Sequence, residues 1–172
     1  MKILVIYGTV EGQTGKIARF AEAELEKLGH RVELVDADDP TEISFDGVGA
    51  AILAASVHQR RHPRTFEALL TAHREDLRKI RTLLLSVSMN AAFPEGLEEA
   101  REYLTEMEMR TGFTPNEEML VGGALRTSHY DYFAMQVIRH VVMRDRPFDP
   151  SETDHEFTDW DAVAACLRDF AG

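Results

Sequence analysis

The feature that most constrains the fold is the amino-terminal apolar run together with the loop that follows it. Residues 2–7 read KILVIY, and Gly8 ends the run. A short run rich in Ile and Val predicts a strand that is buried on both faces, as the strands of parallel sheets are. Over residues 14–28 the apolar side chains recur at helical spacing, and Gly29 stands where helices commonly end. The chain therefore begins with a strand, a polar loop and a helix.

The rest of the chain repeats this alternation. Further strands are predicted at residues 31–35, 49–55, 81–87 and 118–122. Further helices are predicted to begin near Pro63, at Pro94 and at Thr158, whose spacing to Asp161 is typical of a capping box. The pattern predicts an α/β protein with a five-stranded parallel sheet and helices on both faces. Ligands bind such sheets at the carboxyl ends of the strands, so the loops there form the candidate site.

The composition excludes several classes of protein. The 172 residues include 19 Lys and Arg against 30 Asp and Glu, which gives a net charge of −11, and 44% of them are apolar. The apolar fraction suits one folded domain over residues 1–172, and the negative charge argues against nucleic acid as a partner. The chain has one cysteine and no run near the roughly 18 apolar residues that span a bilayer. We therefore expect a cytoplasmic protein without disulfides.

The loop at residues 8–14, GTVEGQT, suits a phosphate. It offers two hydroxyls, two glycines and the unpaired amides of a helix start. Amide donors and the positive end of the helix dipole favour an anion. The loop lacks both the Gly-Lys-Ser/Thr ending of a Walker A loop and the close Gly-x-Gly pair of a dinucleotide fingerprint. The alternative is an ordinary strand–helix turn rich in Gly and Thr.

The same loop resembles the FMN-phosphate loop of flavodoxins, whose pattern is Ser/Thr-x-Thr/Glu-Gly-x-Thr. The resemblance implies a flavodoxin-like fold with bound FMN, held in this loop by Thr9, Val10, Glu11, Gly12, Gln13 and Thr14. The loops after the third and fourth strands match the places where flavodoxins hold the isoalloxazine ring. These loops add Ser56, Val57, His58, Ser86, Val87, Ser88, Met89 and Asn90. Flavodoxins stack the ring on Trp or Tyr there, whereas the candidates in this chain are His58, Met89 and Phe93.

A more specific resemblance is to the flavodoxin-like, menaquinone-dependent protoporphyrinogen IX dehydrogenase family of bacteria. The patches GTVEGQT, ASVH, SVS and GALR occur in the same order, and FTDW resembles the closing motif of that family. The chain departs from the family after the Ala-Ser pair, where it reads QRRHP. The resemblance implies oxidation of protoporphyrinogen IX in heme biosynthesis with a quinone as acceptor. A flavodoxin-type electron carrier, an FMN-dependent quinone reductase and a flavin-free interaction domain are the alternatives.

Residues 125–156 exceed what a minimal five-stranded flavodoxin needs, so we expect a family-specific insertion there. From Tyr130 to Val142 the apolar residues follow helical spacing without a miss, which predicts an extra amphipathic helix at 130–144 after the fifth strand. The apolar face of this helix could pack in the core. It could also contact a membrane, a partner or a large apolar substrate.

Two stretches of the chain are locally positive. Residues 57–64 hold three arginines and no acid, and residues 125–147 hold four arginines against two aspartates. Both follow strands, so we expect them at the carboxyl-end face of the sheet, where they suit a tetrapyrrole with propionates or an anionic membrane contacted through residues 130–146. The candidate substrate-binding residues are Arg126, which lies in GALR, and Arg60, Arg61 and Arg64. Solvated loop charge is the alternative.

The remaining reactive residue types indicate no chemistry of their own. The histidines lack the i, i+4 pairing of a helical zinc site, so no metal is expected. Cys166 falls among apolar residues of the last helix and is expected to pack as a small hydrophobe. The sequence identifies no catalytic residue and no general base, so the reaction would depend on the cofactor.

Overall fold

Strands and helices alternate from the first residues onward, as the sequence predicts. The computed structural model describes residues 1–39, 41–126 and 154–172, with Arg126 and Asp154 described by their backbone alone. We label the elements in chain order as β1 Lys2–Gly8, α1 Gln13–Lys27, β2 Arg31–Asp36, β3 Val48–Ser56, α2 Arg64–Leu77, β4 Arg81–Ser88, α3 Leu97–Thr111, β5 Glu117–Gly122, β6 Ala124–Arg126, β7 Asp154–Glu156 and α4 Trp160–Ala171.

The five strands β1 to β5 form one parallel sheet in the order β2-β1-β3-β4-β5, which confirms the predicted architecture. Ile3 of β1 lies between Val32 of β2 and Ala50 of β3. The residues of the apolar run at 3–6 have no solvent exposure, because β1 has neighbours on both edges and helices on both faces.

The two faces of the sheet are covered by different helices. Helices α1 and α4 pack on one face, with Ile17 and Leu167 in the same buried cluster as Ile3. Helices α2 and α3 cover the other face, with Phe66 and Met107 buried there. This arrangement leaves the carboxyl ends of the central strands open for a ligand, as in other open α/β sheets.

Two predicted helix starts differ from the structure. Thr158 does not cap α4, because Asp159 is the N-cap and its carboxylate accepts a hydrogen bond from the Ala162 amide at 3.0 Å. Thr158 donates its hydroxyl to the Gly122 carbonyl at 2.6 Å and so ties the start of α4 to the end of β5. Residues Pro94–Gly96 form a 3-10 turn, and the α-helix that follows begins only at Leu97.

Beyond β5 the chain forms an antiparallel ribbon from β6 and β7, in which Arg126 pairs with Asp154 through the backbone register. The predicted insertion at 125–156 is therefore described only at its two ends. The predicted amphipathic helix at 130–144 and the membrane contact through 130–146 lie outside the described residues, and the assignment of one domain with an insertion stays a prediction. Among the helices of the described ranges, none combines the length and the apolar character needed to cross a bilayer.

Candidate functional site

A cleft that is open to solvent lies at the carboxyl ends of β1, β3 and β4 and has a cavity volume of about 120 Å³. Three separate loops line it together with the start of β6: Thr9, Val10, Glu11, Gln13, Thr14, Ser56, Val57, His58, Val87, Ser88, Met89, Gly123, Ala124 and Leu125. The structure thus brings together most of the residues that the sequence assigns to the cofactor. Gly12, Ser86 and Asn90 are the assigned residues that do not line the cleft, and residues 123–125 are lining residues that the sequence analysis did not assign.

The loop after β1 leads directly into the first turn of α1. Gly12 is the N-cap of α1 and has a φ of +94°, a left-handed conformation that glycine adopts without strain. Its amide donates a hydrogen bond to the Thr9 hydroxyl at 2.9 Å, which closes the loop on itself. Helix α1 has no side-chain cap at this end. The first turn of a helix carries amides without intrahelical partners, so this end suits an anion.

Two hydroxyl groups that line the cleft are buried without a hydrogen-bond partner among the described residues. They are Oγ1 of Thr14, on the first turn of α1, and Oγ of Ser56, at the end of β3. Leaving a buried polar group unpaired costs about 1–3 kcal/mol. Both groups therefore fit a polar ligand in the cleft, and the position of Thr14 at a helix N-terminus fits the phosphate of FMN.

The side chain of Gln13 is held by the segment before α4. Its Nε2 donates to Oε2 of Glu156 at 3.2 Å and to Oγ1 of Thr158 at 3.0 Å. Lys16 and Trp160 also donate to the carboxylate of Glu156, at 2.6 and 2.7 Å. Partial burial raises the pKa of Glu156, but the hydrogen bonds from these donors outweigh it and hold the pKa below its usual value. Glu156 was not predicted as a site residue, because it lies 143 residues from Gln13 along the chain.

The loop after β3 contains a tight turn that borders the cleft at His58. The backbones of His58 and Arg61 exchange two hydrogen bonds, of 2.9 and 3.1 Å. The two residues between them, Gln59 and Arg60, have φ values of +49° and +66°. Left-handed backbone at both central positions is typical of a type I′ turn, which favours Asn and Gly. Gln59 and Arg60 each have a Cβ, which disfavours this conformation, so we infer that the surrounding structure holds the turn in place.

Arg60 is part of a network that connects the loops after β3 and β4. Its guanidinium donates to Glu99 of α3 at 2.7 Å and lies over the ring of Tyr103, 5.3 Å from the centroid. The Tyr103 hydroxyl donates to the same carboxylate at 2.6 Å and accepts from the side chain of Asn90 at 3.0 Å. Burial and the bond to Glu99 raise the pKa of Tyr103 to about 12. Asn90, assigned to the cofactor from the sequence, thus braces its loop against α3.

The other candidate substrate arginines have different surroundings. Arg61 donates to the buried carboxylate of Glu67 at 2.9 Å, and Arg110 donates to it at 2.6 Å. Burial raises the pKa of Glu67, but the bonds from Arg110 and Arg61 outweigh burial and lower it overall. Arg64 is exposed at the start of α2. For Arg126 the structure describes the backbone and not the side chain. The positive charge counted over residues 57–64 is thus partly compensated in the folded chain, because Arg60 bonds to Glu99 and Arg61 shares Glu67 with Arg110.

Ser86 lies on the opposite face of β4 from the cleft-lining Val87. Its hydroxyl is 2.8 Å from Nε2 of His62, which is 1% exposed. Burial lowers the pKa of His62 to about 4, so this imidazole is neutral at physiological pH. Ser86 therefore contributes to packing of the loop before α2. Among the described side chains, no group of three or more His, Cys, Asp or Glu is arranged to hold a metal ion.

Known proteins match the chain in both sequence and fold. Residues 4–151 match the flavodoxin domain. The chain belongs to the flavodoxin family. It is 23% identical over 172 residues to a protein of Escherichia coli strain K12 named protoporphyrinogen IX dehydrogenase (quinone), and the alignment covers 99% of this chain and 95% of that protein.

Solved flavodoxin structures share the fold at lower identity. One is a short-chain flavodoxin associated with a non-canonical PDU bacterial microcompartment, with a TM-score of 0.57 at 11% identity over 100% of this chain and 99% of that one. Another is a mutant flavodoxin of Fusobacterium nucleatum bound to flavin mononucleotide, with a TM-score of 0.52 at 15% identity over 98% and 92% of the two chains. These similarities confirm that the chain is a flavodoxin-fold protein and agree with the parallel sheet described above.

Proposed function

We propose that this flavodoxin-family protein is an FMN-dependent oxidoreductase that oxidises protoporphyrinogen IX to protoporphyrin IX with a quinone as acceptor. The observation that carries flavin binding is the cleft at the strand ends, where Thr14 and Ser56 present buried hydroxyls without partners among the described residues. The substrate and the acceptor rest on the similarity to the Escherichia coli protein of that name, which extends over 99% of the chain. The proposed place of the reaction is heme biosynthesis.

The residues of the cleft divide between the two ends of FMN. Thr9, Thr14 and the amides of the first turn of α1 would hold the phosphate through neutral donors, with Gly12 shaping the loop. Residues 56–58 and 87–89 would flank the isoalloxazine ring. FMN would supply the redox chemistry, since flavins accept reducing equivalents from an organic substrate and pass them to a quinone. The protein would supply binding, orientation and a largely apolar wall around the ring.

The apolar wall supports an enzyme that accepts a flat substrate. Val57, Val87, Met89 and Leu125 line the cleft. The loops after β3 and β4 contain no Trp or Tyr that could stack on the ring. A ring that no Trp or Tyr side chain covers would leave room for a conjugated macrocycle to approach its face.

The propionates of the substrate need positively charged partners. Arg60, Arg61, Arg64 and Arg126 remain the proposed partners. Arg60 and Arg61 already bond to carboxylates of the protein, at Glu99 and Glu67. The proposed binding of the propionates therefore depends mainly on Arg64, which is exposed, and on Arg126, which lies in the GALR patch.

A flavodoxin-type electron carrier is the second candidate. The net charge of −11 favours it, because an acidic surface can dock basic redox partners. An FMN-dependent quinone reductase would use the same cleft with a different electron donor. The cytoplasmic location, with peripheral contact at the inner membrane, remains part of the proposal and rests on the sequence.

Anaerobic turnover tests the proposed activity most directly. Purified protein loaded with FMN is mixed with protoporphyrinogen IX and a menaquinone analogue, and protoporphyrin fluorescence is followed against the spontaneous rate. We expect oxidation that requires both FMN and the quinone and that is absent from the apoprotein. An FMN-loaded protein that oxidises no protoporphyrinogen above the spontaneous rate would refute the enzyme and leave the carrier.

A further inference from the structure

The end of β7 and the residues that follow it bond to the first turn of α1. Glu156, the last residue of β7, uses both carboxylate oxygens: Oε2 accepts from Gln13 and Lys16, and Oε1 accepts from the indole N–H of Trp160. We call these four residues, together with Thr158, the Glu156 clamp. Its members come from the two ends of the sequence, so only the folded chain brings them together.

The clamp is anchored on three sides. The Trp160 ring packs against Phe20 of α1 with centroids 4.9 Å apart, and the Lys16 ammonium lies 5.4 Å from the same ring. Thr158 connects Gln13 to the Gly122 carbonyl at the end of β5. At Gly122 a Cβ would come within 2.6 Å of the Phe157 carbonyl oxygen, so glycine permits the close approach of this segment. The Glu156 clamp therefore joins α1, the start of α4 and the end of β5.

The residues that the clamp holds border the proposed phosphate site. Gln13 and Thr14 begin α1 and are both buried, and Thr14 carries the unpartnered hydroxyl that lines the cleft. Lys16 lies in the same turn, and its ammonium is bonded to Glu156. Hydrogen bonds to a charged acceptor are stronger and shorter than neutral ones, so Glu156 is well suited to fix the direction of this turn.

We propose that Glu156 is a positioning residue for the phosphate end of the cleft: by holding Gln13 and Lys16, it keeps the first turn of α1 in the geometry that binds the FMN phosphate. This inference rests on the proposed FMN binding. Glu156 acts through α1 and does not itself contact the phosphate, since two anions would repel each other. Its effect therefore concerns the phosphate group and spares the isoalloxazine ring.

Comparing FMN with riboflavin, which has no phosphate, separates positioning from general support of the fold. Dissociation constants of both ligands are measured by flavin fluorescence quenching for the wild-type apoprotein and for Glu156→Ala. We expect Glu156→Ala to weaken FMN binding about tenfold and to change riboflavin binding by less than about twofold. The control is Glu33→Ala, which removes the 3.1 Å ion pair with Lys2 in β1 and should change neither constant.

Other results would overturn either the positioning role of Glu156 or the proposed FMN binding, and the two cases can be distinguished. Unchanged FMN binding in Glu156→Ala, or equal losses for FMN and riboflavin, would overturn the positioning role. A wild-type protein that binds neither ligand would instead overturn the proposed function. If Glu156→Ala fails to fold, Trp160→Phe removes one donor to Glu156 and retains an aromatic ring beside Phe20. We expect that variant to show a smaller loss that is again confined to FMN, and an equal loss for both ligands would refute the proposal.

Discussion

The two ends of the cleft differ in how they use their polar groups. At the end of the cleft that we propose for the phosphate, the hydroxyl of Thr14 is buried and has no partner among the described residues. At the ring end, the hydroxyl of Ser56 also has no partner among the described residues, but the loops that flank the cleft are joined by a network of bonded side chains, Arg60, Glu99, Tyr103 and Asn90. The phosphate end is thus incomplete without a ligand, whereas this network at the ring end is satisfied by the protein itself.

This difference has an energetic consequence. An unpaired buried hydroxyl lowers the stability of the apoprotein and becomes favourable only when a ligand bonds to it. A network that is already complete stabilises the apoprotein and adds little when the ligand binds. Substitution of Thr14 should therefore affect mainly ligand binding, and substitutions within the network of Arg60, Glu99, Tyr103 and Asn90 should affect mainly folding.

The largest expected effect is that of Thr14→Val. The substitution removes a donor to a charged phosphate, so FMN binding should weaken by roughly 1.5–3 kcal/mol. The free energy of unfolding of the apoprotein should stay the same or rise, because the lost hydroxyl has no protein partner among the described residues. Fluorescence titration and urea unfolding measure the two quantities. Thr105→Val, on the exposed face of α3, is the matched control, and an unchanged FMN affinity in Thr14→Val would show that the phosphate lies elsewhere.

The next effect concerns pH at the ring end. Burial lowers the pKa of His62 to about 4, with Glu67 opposing that shift and Arg110 adding to it. The imidazole of His62 takes up a proton below about pH 6.5 in the unfolded chain but only near pH 4 in the folded chain. The free energy of unfolding is therefore highest above pH 6.5 and falls as the pH drops toward 4. Between pH 7 and pH 5 this loss should be about 2 kcal/mol.

Urea unfolding of the apoprotein at several pH values measures that loss. We expect His62→Gln to flatten the pH dependence over this range, whereas His73→Gln, in α2, should retain it. An identical slope in wild type and His62→Gln would mean that the imidazole is not buried in a neutral form in the folded protein.

A smaller effect is expected from Tyr103→Phe. The substitution removes the hydroxyl that connects Glu99 to Asn90, so the apoprotein should lose about 0.5–1.5 kcal/mol of stability. FMN affinity should change little, because the phosphate end is untouched. Chemical unfolding and FMN titration check both statements, and a loss of FMN affinity as large as that of Thr14→Val would remove the distinction between the two ends.

The smallest effect is expected from Gln59→Gly. Gln59 has a φ of +49°, which glycine adopts without strain. Relief of this strain should exceed the entropy that glycine adds to the unfolded chain, so the free energy of unfolding should rise by about 0.5–1 kcal/mol. Urea unfolding of the apoprotein measures the change. Gly47→Ala, at another left-handed position, is the converse control and should destabilise. Destabilisation by Gln59→Gly would indicate that the Gln59 side chain stabilises the turn.

The sequence predicted the parts of the site that depend on neighbours along the chain. The strand, the glycine-containing loop and the helix over residues 2–28 follow from hydrophobic spacing and turn chemistry, and the structure confirms them with shifts of one or two residues. The fold followed from the repetition of this unit. Thr158 was misassigned as a cap because Asp159, the next residue, competes for the same role.

The parts that the sequence did not predict depend on contacts between distant segments. Counting charges over residues 57–64 missed Glu99, which belongs to a helix that reaches this loop only in the folded chain, and stopped short of Glu67, which lies six residues after Arg61. Glu156 was missed for the same reason, because its partners Gln13 and Lys16 lie on α1. Ser86 was assigned to the cofactor from the resemblance to flavodoxins, but it does not line the cleft and its hydroxyl lies 2.8 Å from Nε2 of His62, 24 residues away.

Titration of the wild-type apoprotein with FMN and with riboflavin tests the central claim that the loop after β1 is a phosphate site. We expect one FMN per chain, bound at least about a hundredfold more tightly than riboflavin, because the hydroxyls and amides at this end of the cleft act on the phosphate alone. Equal affinities for FMN and riboflavin, or no binding of FMN, would contradict it.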